Sequence, residues 1–223
     1  MIDTIELDQY QNVANCKTVQ QSSRESFFKI SYRFRKGNVY GLVSDFGCGS
    51  WGLTTCLGGR GDQNDSGKVL LNGQIVKSQQ LSQYAAFVAE RVIPEVNSVG
   101  APRSARECIG DALRLSRQAF TPEEIKSAFR LSDERFDRPL EQTSGEIWPI
   151  SIAIQFALGK DIFCFPWMNM HDISRFRGLW DMGIIQYLRE SQKIVLVPTS
   201  QRKVVRKMCD HIITFKKENI RFL

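Results

Sequence analysis

Hydrophobic and polar positions change period along the chain. Phe28, Ile30, Tyr32 and Phe34 alternate with Lys29, Ser31 and Arg33, the period-two pattern of a half-buried strand. Residues 39–43 form a mostly apolar run followed by a glycine-rich turn, and strand, glycine loop and helix in that order frame a phosphate-binding loop. Residues 69–71 and 74–76 flank Asn72-Gly73, a dipeptide that tolerates the positive φ angles of a two-residue hairpin turn.

The period then lengthens. Cys108, Ile109, Ala112 and Leu113 recur at helical spacing within 104–117, and Thr121-Pro122-Glu123-Glu124 supplies an N-cap, a first-turn proline and a capping-box glutamate. A further helix is expected over about 144–158. Runs 162–165, 194–197 and 211–215 read as buried strands, separated by amphipathic segments near 173–189 and 202–209. Strands alternating with helices imply a mostly parallel sheet covered by helices.

Composition adds little to this picture. With 223 residues, 42% hydrophobic and 24% charged, the chain has the size and make-up of one α/β domain, and neither disorder nor a fibrous architecture is suggested. Acidic residues occupy the N-terminus where a signal peptide is basic, and no apolar run approaches a membrane span, so a cytoplasmic chain is expected. The six cysteines lack Cys-x-x-Cys spacing and only His171 and His211 accompany them, so they read as reduced, mostly buried thiols without a metal site. A net charge of +6 gathers at Arg33-Phe-Arg35-Lys36, at Arg202-Lys203 with Arg206-Lys207, and at Lys216-Lys217. Without aromatic interleaving or a recognition-helix pattern, these clusters indicate a solvated face or one near an anionic membrane, and nucleic acid is not expected as a partner. The tripeptide Arg60-Gly61-Asp62 and the sequon at Asn64 are short, and in a cytoplasmic chain they carry no function.

Several segments together resemble the nucleotide-binding domain of ATP-binding-cassette (ABC) transporters. Residues 39–59 look like that family's strand, Walker A loop and helix, and 66–73 like the hairpin that follows. Residues 104–109 look like the opening of its helical subdomain, and 137–145 like the approach to its signature motif. The resemblance implies a single ABC-type nucleotide-binding domain over 1–223. It would have a P-loop NTPase (RecA-like) α/β core, an antiparallel β subdomain and a helical signature subdomain at about 95–145.

The same resemblance shows substitutions. A working loop, G-x-x-x-x-G-K-[ST], wraps phosphates in N–H groups and adds a lysine charge and a magnesium-binding hydroxyl. Gly47 and Gly49 are retained and Gly52 follows, but Ser50 stands in the lysine place and Trp51 in the hydroxyl place. A register through Gly47 and Gly52 instead offers Leu53 and Thr54, again without lysine. One charge-assisted contact is worth roughly 1.5–3 kcal/mol. Pro166 and Trp167 correspond to the magnesium-binding aspartate and the catalytic glutamate, Glu90 to the γ-phosphate-sensing glutamine, and Ser200 to the switch histidine. Proton transfer alone contributes roughly 10²–10⁴ in rate, so little intrinsic turnover is expected. Trp51 and Trp167 read as fillers of the space a nucleotide would take, and His171 as a surface or capping residue.

The signature loop keeps more, with Thr143, Ser144 and Gly145 followed by Glu146 in a glycine's place. Resemblance also assigns the contact with a membrane subunit to Glu90, Val92, Ile93 and Val96. The expectation is a pseudo-ATPase half of a heterodimer at the cytoplasmic face of the membrane, partnered by an active ABC ATPase and by transmembrane permease subunits. ATP and magnesium would then bind only at a site shared with the partner. A regulatory pseudoenzyme of the same fold outside a transporter, or a divergent active ATPase, are the alternatives.

Overall fold

The computed structural model describes residues 1–18, 21–61, 65–88, 103–143 and 146–215. In chain order the strands are β1 (Thr4–Lys17), β2 (Ser22–Arg35), β3 (Asn38–Val43), β4 (Ser66–Leu71), β5 (Gln74–Val76), β6 (Ala85–Phe87), β7 (Ile162–Cys164), β8 (Ile194–Thr199) and β9 (His211–Thr214). The helices are α1 (Ser50–Thr55), α2 (Ser78–Leu81), α3 (Ala105–Ser116), α4 (Pro122–Ala128), α5 (Asp133–Phe136), α6 (Ile147–Ala157), α7 (Met170–Asp181), α8 (Ile184–Glu190) and α9 (Arg202–Met208). Two sheets result, an antiparallel one in the order β2-β1-β4-β5 and a five-stranded one in the order β6-β7-β8-β3-β9 whose pairings are parallel. The expected α/β class, with an antiparallel β subdomain beside a P-loop-type core, is thus the observed one.

Period-two side chains divide the interior in two. From the parallel sheet, Val39, Val43, Phe163, Phe165, Val195 and Val197 point into a core shared with α3, α4 and α6 to α9. Their neighbours Tyr40, Leu42, Ile162, Cys164, Ile194 and Leu196 point into a second core shared with β1, β2, β4 and α1. Strands buried on both faces must be apolar at every position, which is why these runs are short and almost uninterrupted. A buried ion pair pins the sheets together: Asp161 accepts from Lys193 Nζ at 2.8 Å and from the Ile2 N–H at 2.9 Å.

The local signals for caps and turns are realised. Ser104 and Glu107 close a capping box on α3, and Thr121 and Glu124 another on α4, with Pro122 in its first turn. Asn72 and Gly73, at φ 51° and 80°, make the β4–β5 turn.

Three expectations need correction. The helix expected over 144–158 begins at Ile147 and tolerates Pro149 because the first turn needs no N–H from that position. The amphipathic stretch 173–189 is two helices, α7 and α8, separated at Gly183, whose φ of 78° ends a right-handed helix. The alternation in β2 is also broken. Lys29 (φ 48°) bulges, so Ile30 and Phe34 face inward on one side of it, whereas Glu25 and Phe27 do so on the other. Phe28 and Tyr32, expected inside, are only half-buried.

The glycines of α7 and α8 give a test of opposite signs. An added Cβ meets nothing within 4 Å at Gly178 or Gly183, but only Gly183 has a positive φ. Gly178→Ala is expected to stabilise the chain by about 0.5–1 kcal/mol, and Gly183→Ala to destabilise it by about 1 kcal/mol. Shifts in the midpoint of urea denaturation check both.

Candidate functional site

The C-terminal ends of β3, β7 and β8 lie side by side, and three loops leave the parallel sheet there. Open α/β sheets bind ligands at this edge. Ser44 N–H donates to Thr199 O at 3.1 Å, Met168 bridges Thr199, and Trp167 Nε1 donates to Ser44 O at 3.4 Å. These contacts bring together Gly47, Gly49, Ser50, Trp51, Gly52, Pro166 and Trp167, with Ser200 following directly after β8.

Beyond β3 the chain turns through Gly47 (φ 80°) and Gly49 (φ 91°) straight into α1 at Ser50. These two angles require glycine, and they aim successive N–H groups into one concavity, an arrangement that suits an anion. Leu53 and Thr54 lie inside α1, where the Thr54 hydroxyl donates to Trp51 O at 3.0 Å.

The concavity holds a carboxylate from β2. Glu25 is 1% exposed. Its Oε1 accepts from Gly47 N–H at 2.9 Å, and its Oε2 from Gly49 N–H at 3.0 Å and Gly52 N–H at 2.9 Å. Burial pushes this carboxyl above its usual range, while the amides of Gly52, Gly47, Gly49 and Trp51 pull it down. Removing a carboxylate from water costs several kcal/mol, and hydrogen bonds to a charged group, at about 1.5–3 kcal/mol each, offset that cost in part. The strand itself lies against the loop. A Cβ on Gly49 would stand 2.9 Å from Ser26 O, and one on Gly52 3.1 Å from Glu25 Cβ.

Aromatic rings fill the adjoining volume. Trp51 is fully buried, and Phe46 lies 5.8 Å from its ring and 5.1 Å from that of Trp167. Trp51 Nε1 has no hydrogen-bond partner among the described residues, a cost of about 1–3 kcal/mol. Burying an indole returns about 4–6 kcal/mol at ~25 cal/mol/Å², so the ring stays inside. Ser50 is buried as well, with its Oγ 2.5 Å from Ser44 Oγ.

The cradle is filled by a carboxylate, no lysine stands in the loop, and indole and benzyl rings take the neighbouring space. Among the described residues no group of His, Cys, Asp and Glu could hold a metal ion.

The remaining expected residues lie elsewhere. Thr143 is buried with its hydroxyl on Leu140 O at 2.7 Å. The Glu146 carboxylate turns toward α5, accepting from Ser132 N–H at 3.2 Å and Arg135 Nη1 at 3.5 Å. Ser144, Gly145, Glu90, Val92, Ile93 and Val96 lie outside the described residues. His171, exposed at the start of α7, gives its N–H to the capping Asn169 at 2.8 Å. Glu25 is the residue that sequence reasoning missed. Its signal was an acidic residue two positions before Phe27 on one strand face, hidden by the bulge at Lys29.

No protein-family model matches the chain, and no curated protein does. Solved structures match along its whole length. A Pyrococcus furiosus protein assigned as the ATP-binding protein of an ABC transporter aligns with a TM-score of 0.66 and 17% identity, covering 98% of this chain and 100% of its own. The cbiO1 protein of Clostridium perfringens, part of the ABC transporter complex cbiONQ, aligns at 0.65 and 13% identity over 100% of this chain and 88% of its own. A bacterial Atm1-family ABC exporter solved with ATP bound aligns at 0.60 and 14% identity, covering 99% of this chain and 38% of the exporter. At these identities the likeness shows the fold alone: the chain folds like the ATP-binding proteins of ABC transporters.

Proposed function

We propose that the chain is a pseudo-ATPase subunit of an ABC transporter, the degenerate half of a heterodimer with an active ATPase, docked on transmembrane permease subunits. One observation carries the reading: the whole chain keeps the ABC fold while the loop that would cradle phosphate is closed by Glu25, Trp51 and Trp167. Ser50 and Trp51 take the places of the lysine and the magnesium-binding hydroxyl. Pro166, Trp167, Glu90 and Ser200 take those of the metal ligand, base, sensor and switch. Such a chain retains its mechanical surfaces and loses its own chemistry. No described helix is long and apolar enough to cross a membrane, which fits transport work done through separate membrane subunits. Membership of cbiO1 in the cbiONQ complex supports the same division of labour.

In this reading ATP and magnesium bind at the composite site where the partner supplies the lysine, metal ligands and base. This chain offers Ser144 and Gly145, whereas Thr143, assigned to the same loop, is buried with its N–H and hydroxyl both on Leu140 O. Glu146, whose carboxylate is tied to Ser132 and Arg135, leaves that approach less obstructed than its charge alone suggests. The segment with Glu90, Val92, Ile93 and Val96 is assigned to the permease contact. Charge substitutions at Val92 and Val96 are expected to release the chain from the membrane complex in a pull-down.

Hydrolysis gives the other tests. The isolated chain is expected to show no magnesium-dependent ATP turnover above background, and Ser50→Lys to leave it without, since base and metal ligand are still missing. Robust turnover lost on substitution of Ser50 or Trp167 would contradict the reading. In the reconstituted complex, Ser144→Arg is expected to lower steady-state hydrolysis and Ser50→Ala to leave it unchanged. Equal rates for Ser144→Arg and the unmodified complex would reduce the chain to a scaffold.

A further inference from the structure

We propose that Glu25 is a built-in anion that occupies the chain's own phosphate-type loop and holds it shut, so that the loop keeps one conformation whatever the nucleotide concentration. The proposal rests on the reading of that loop as a degenerate nucleotide site. Both carboxylate oxygens are engaged, Oε1 by Gly47 and Oε2 by Gly49 and Gly52, as phosphoryl oxygens would be by the same amides. The plug is not one swinging side chain. Gly49 and Gly52 press against the backbone of Ser26 and the Cβ of Glu25, so β2 itself crosses the mouth of the loop.

A group fixed to a strand competes at an effective concentration that a dissolved anion at millimolar level does not match. An incoming phosphate would also meet the carboxylate's like charge, with no lysine in the loop to offset it. The loop can neither empty nor fill, and whatever it contacts on a partner sees a constant surface. Nucleotide-driven change is then confined to the partner's half of the complex.

Inorganic pyrophosphate added to the full-length chain at matched ionic strength is the probe. In the unmodified chain, the backbone amide NMR signals of Gly47, Gly49 and Gly52 are expected to stay in place at millimolar pyrophosphate. Movement of these three signals overturns the proposal, and this measurement needs no variant. Glu25→Ala leaves the three donors unfilled, so its melting temperature is expected to fall and to recover with pyrophosphate. The apparent affinity should exceed that of the unmodified chain by about tenfold or more. A folded Glu25→Ala chain that responds to pyrophosphate no more than the unmodified chain overturns the proposal as well. Failure of the transporter reading is seen separately, as the absence of a polytopic membrane protein from material copurified with the unmodified chain.

Discussion

The contact between the Glu25 carboxylate and the amides of Gly47, Gly49 and Gly52 constrains everything around it. A loop of converging N–H groups needs negative charge inside it, and here the charge comes from the chain itself. To deliver it, β2 must run on past Phe27 to Ser22, and β1 must run equally far to pair with it, from Thr4 to Lys17. The bulges at Gln9 and Lys29, both at positive φ, let this long ribbon bend while keeping Tyr10, Phe27, Ile30 and Phe34 in the core. Glycine at 49 is then required by crowding from β2 as well as by backbone angle, and glycine at 52 is favoured by the crowding alone.

Once the carboxylate is in place, the aromatic residues beside it follow. Nothing polar is left for the adjoining space to bind, so apolar rings fill it: Trp51 fully buried, with Phe46 packed between it and Trp167. The area term for the indole exceeds the cost of its unpartnered Nε1. The α/β architecture itself rests on the two cores on either side of the parallel sheet, whose side chains pack against one another without help from the loop.

Much of this fold was legible in the sequence wherever the determinants are local. Ser104 with Glu107, Thr121 with Glu124, and Asn72-Gly73 specify helix starts and a hairpin by chemistry acting over three or four residues. Apolar runs such as 194–197 mark strands buried on both faces. Resemblance also singled out Ser50, Trp51, Pro166 and Trp167, which the fold gathers at one edge of the parallel sheet, but gave no sign of what fills the loop there. Glu25 meets Gly52 across 27 residues through a strand whose alternation is reset by a bulge, and no local pattern encodes that meeting. The break at Gly183 was readable in principle, but the apolar spacing continues through it and masks the turn.

The central claim is that this domain keeps its glycine-rich, phosphate-type loop filled from within. A crystal structure of the chain grown with saturating ATP and magnesium tests it most directly. The account predicts the Glu25 carboxylate on the amides of Gly47, Gly49 and Gly52, the Trp51 indole in place, and no triphosphate in the loop. A triphosphate bound to those amides, with Glu25 displaced, would contradict it.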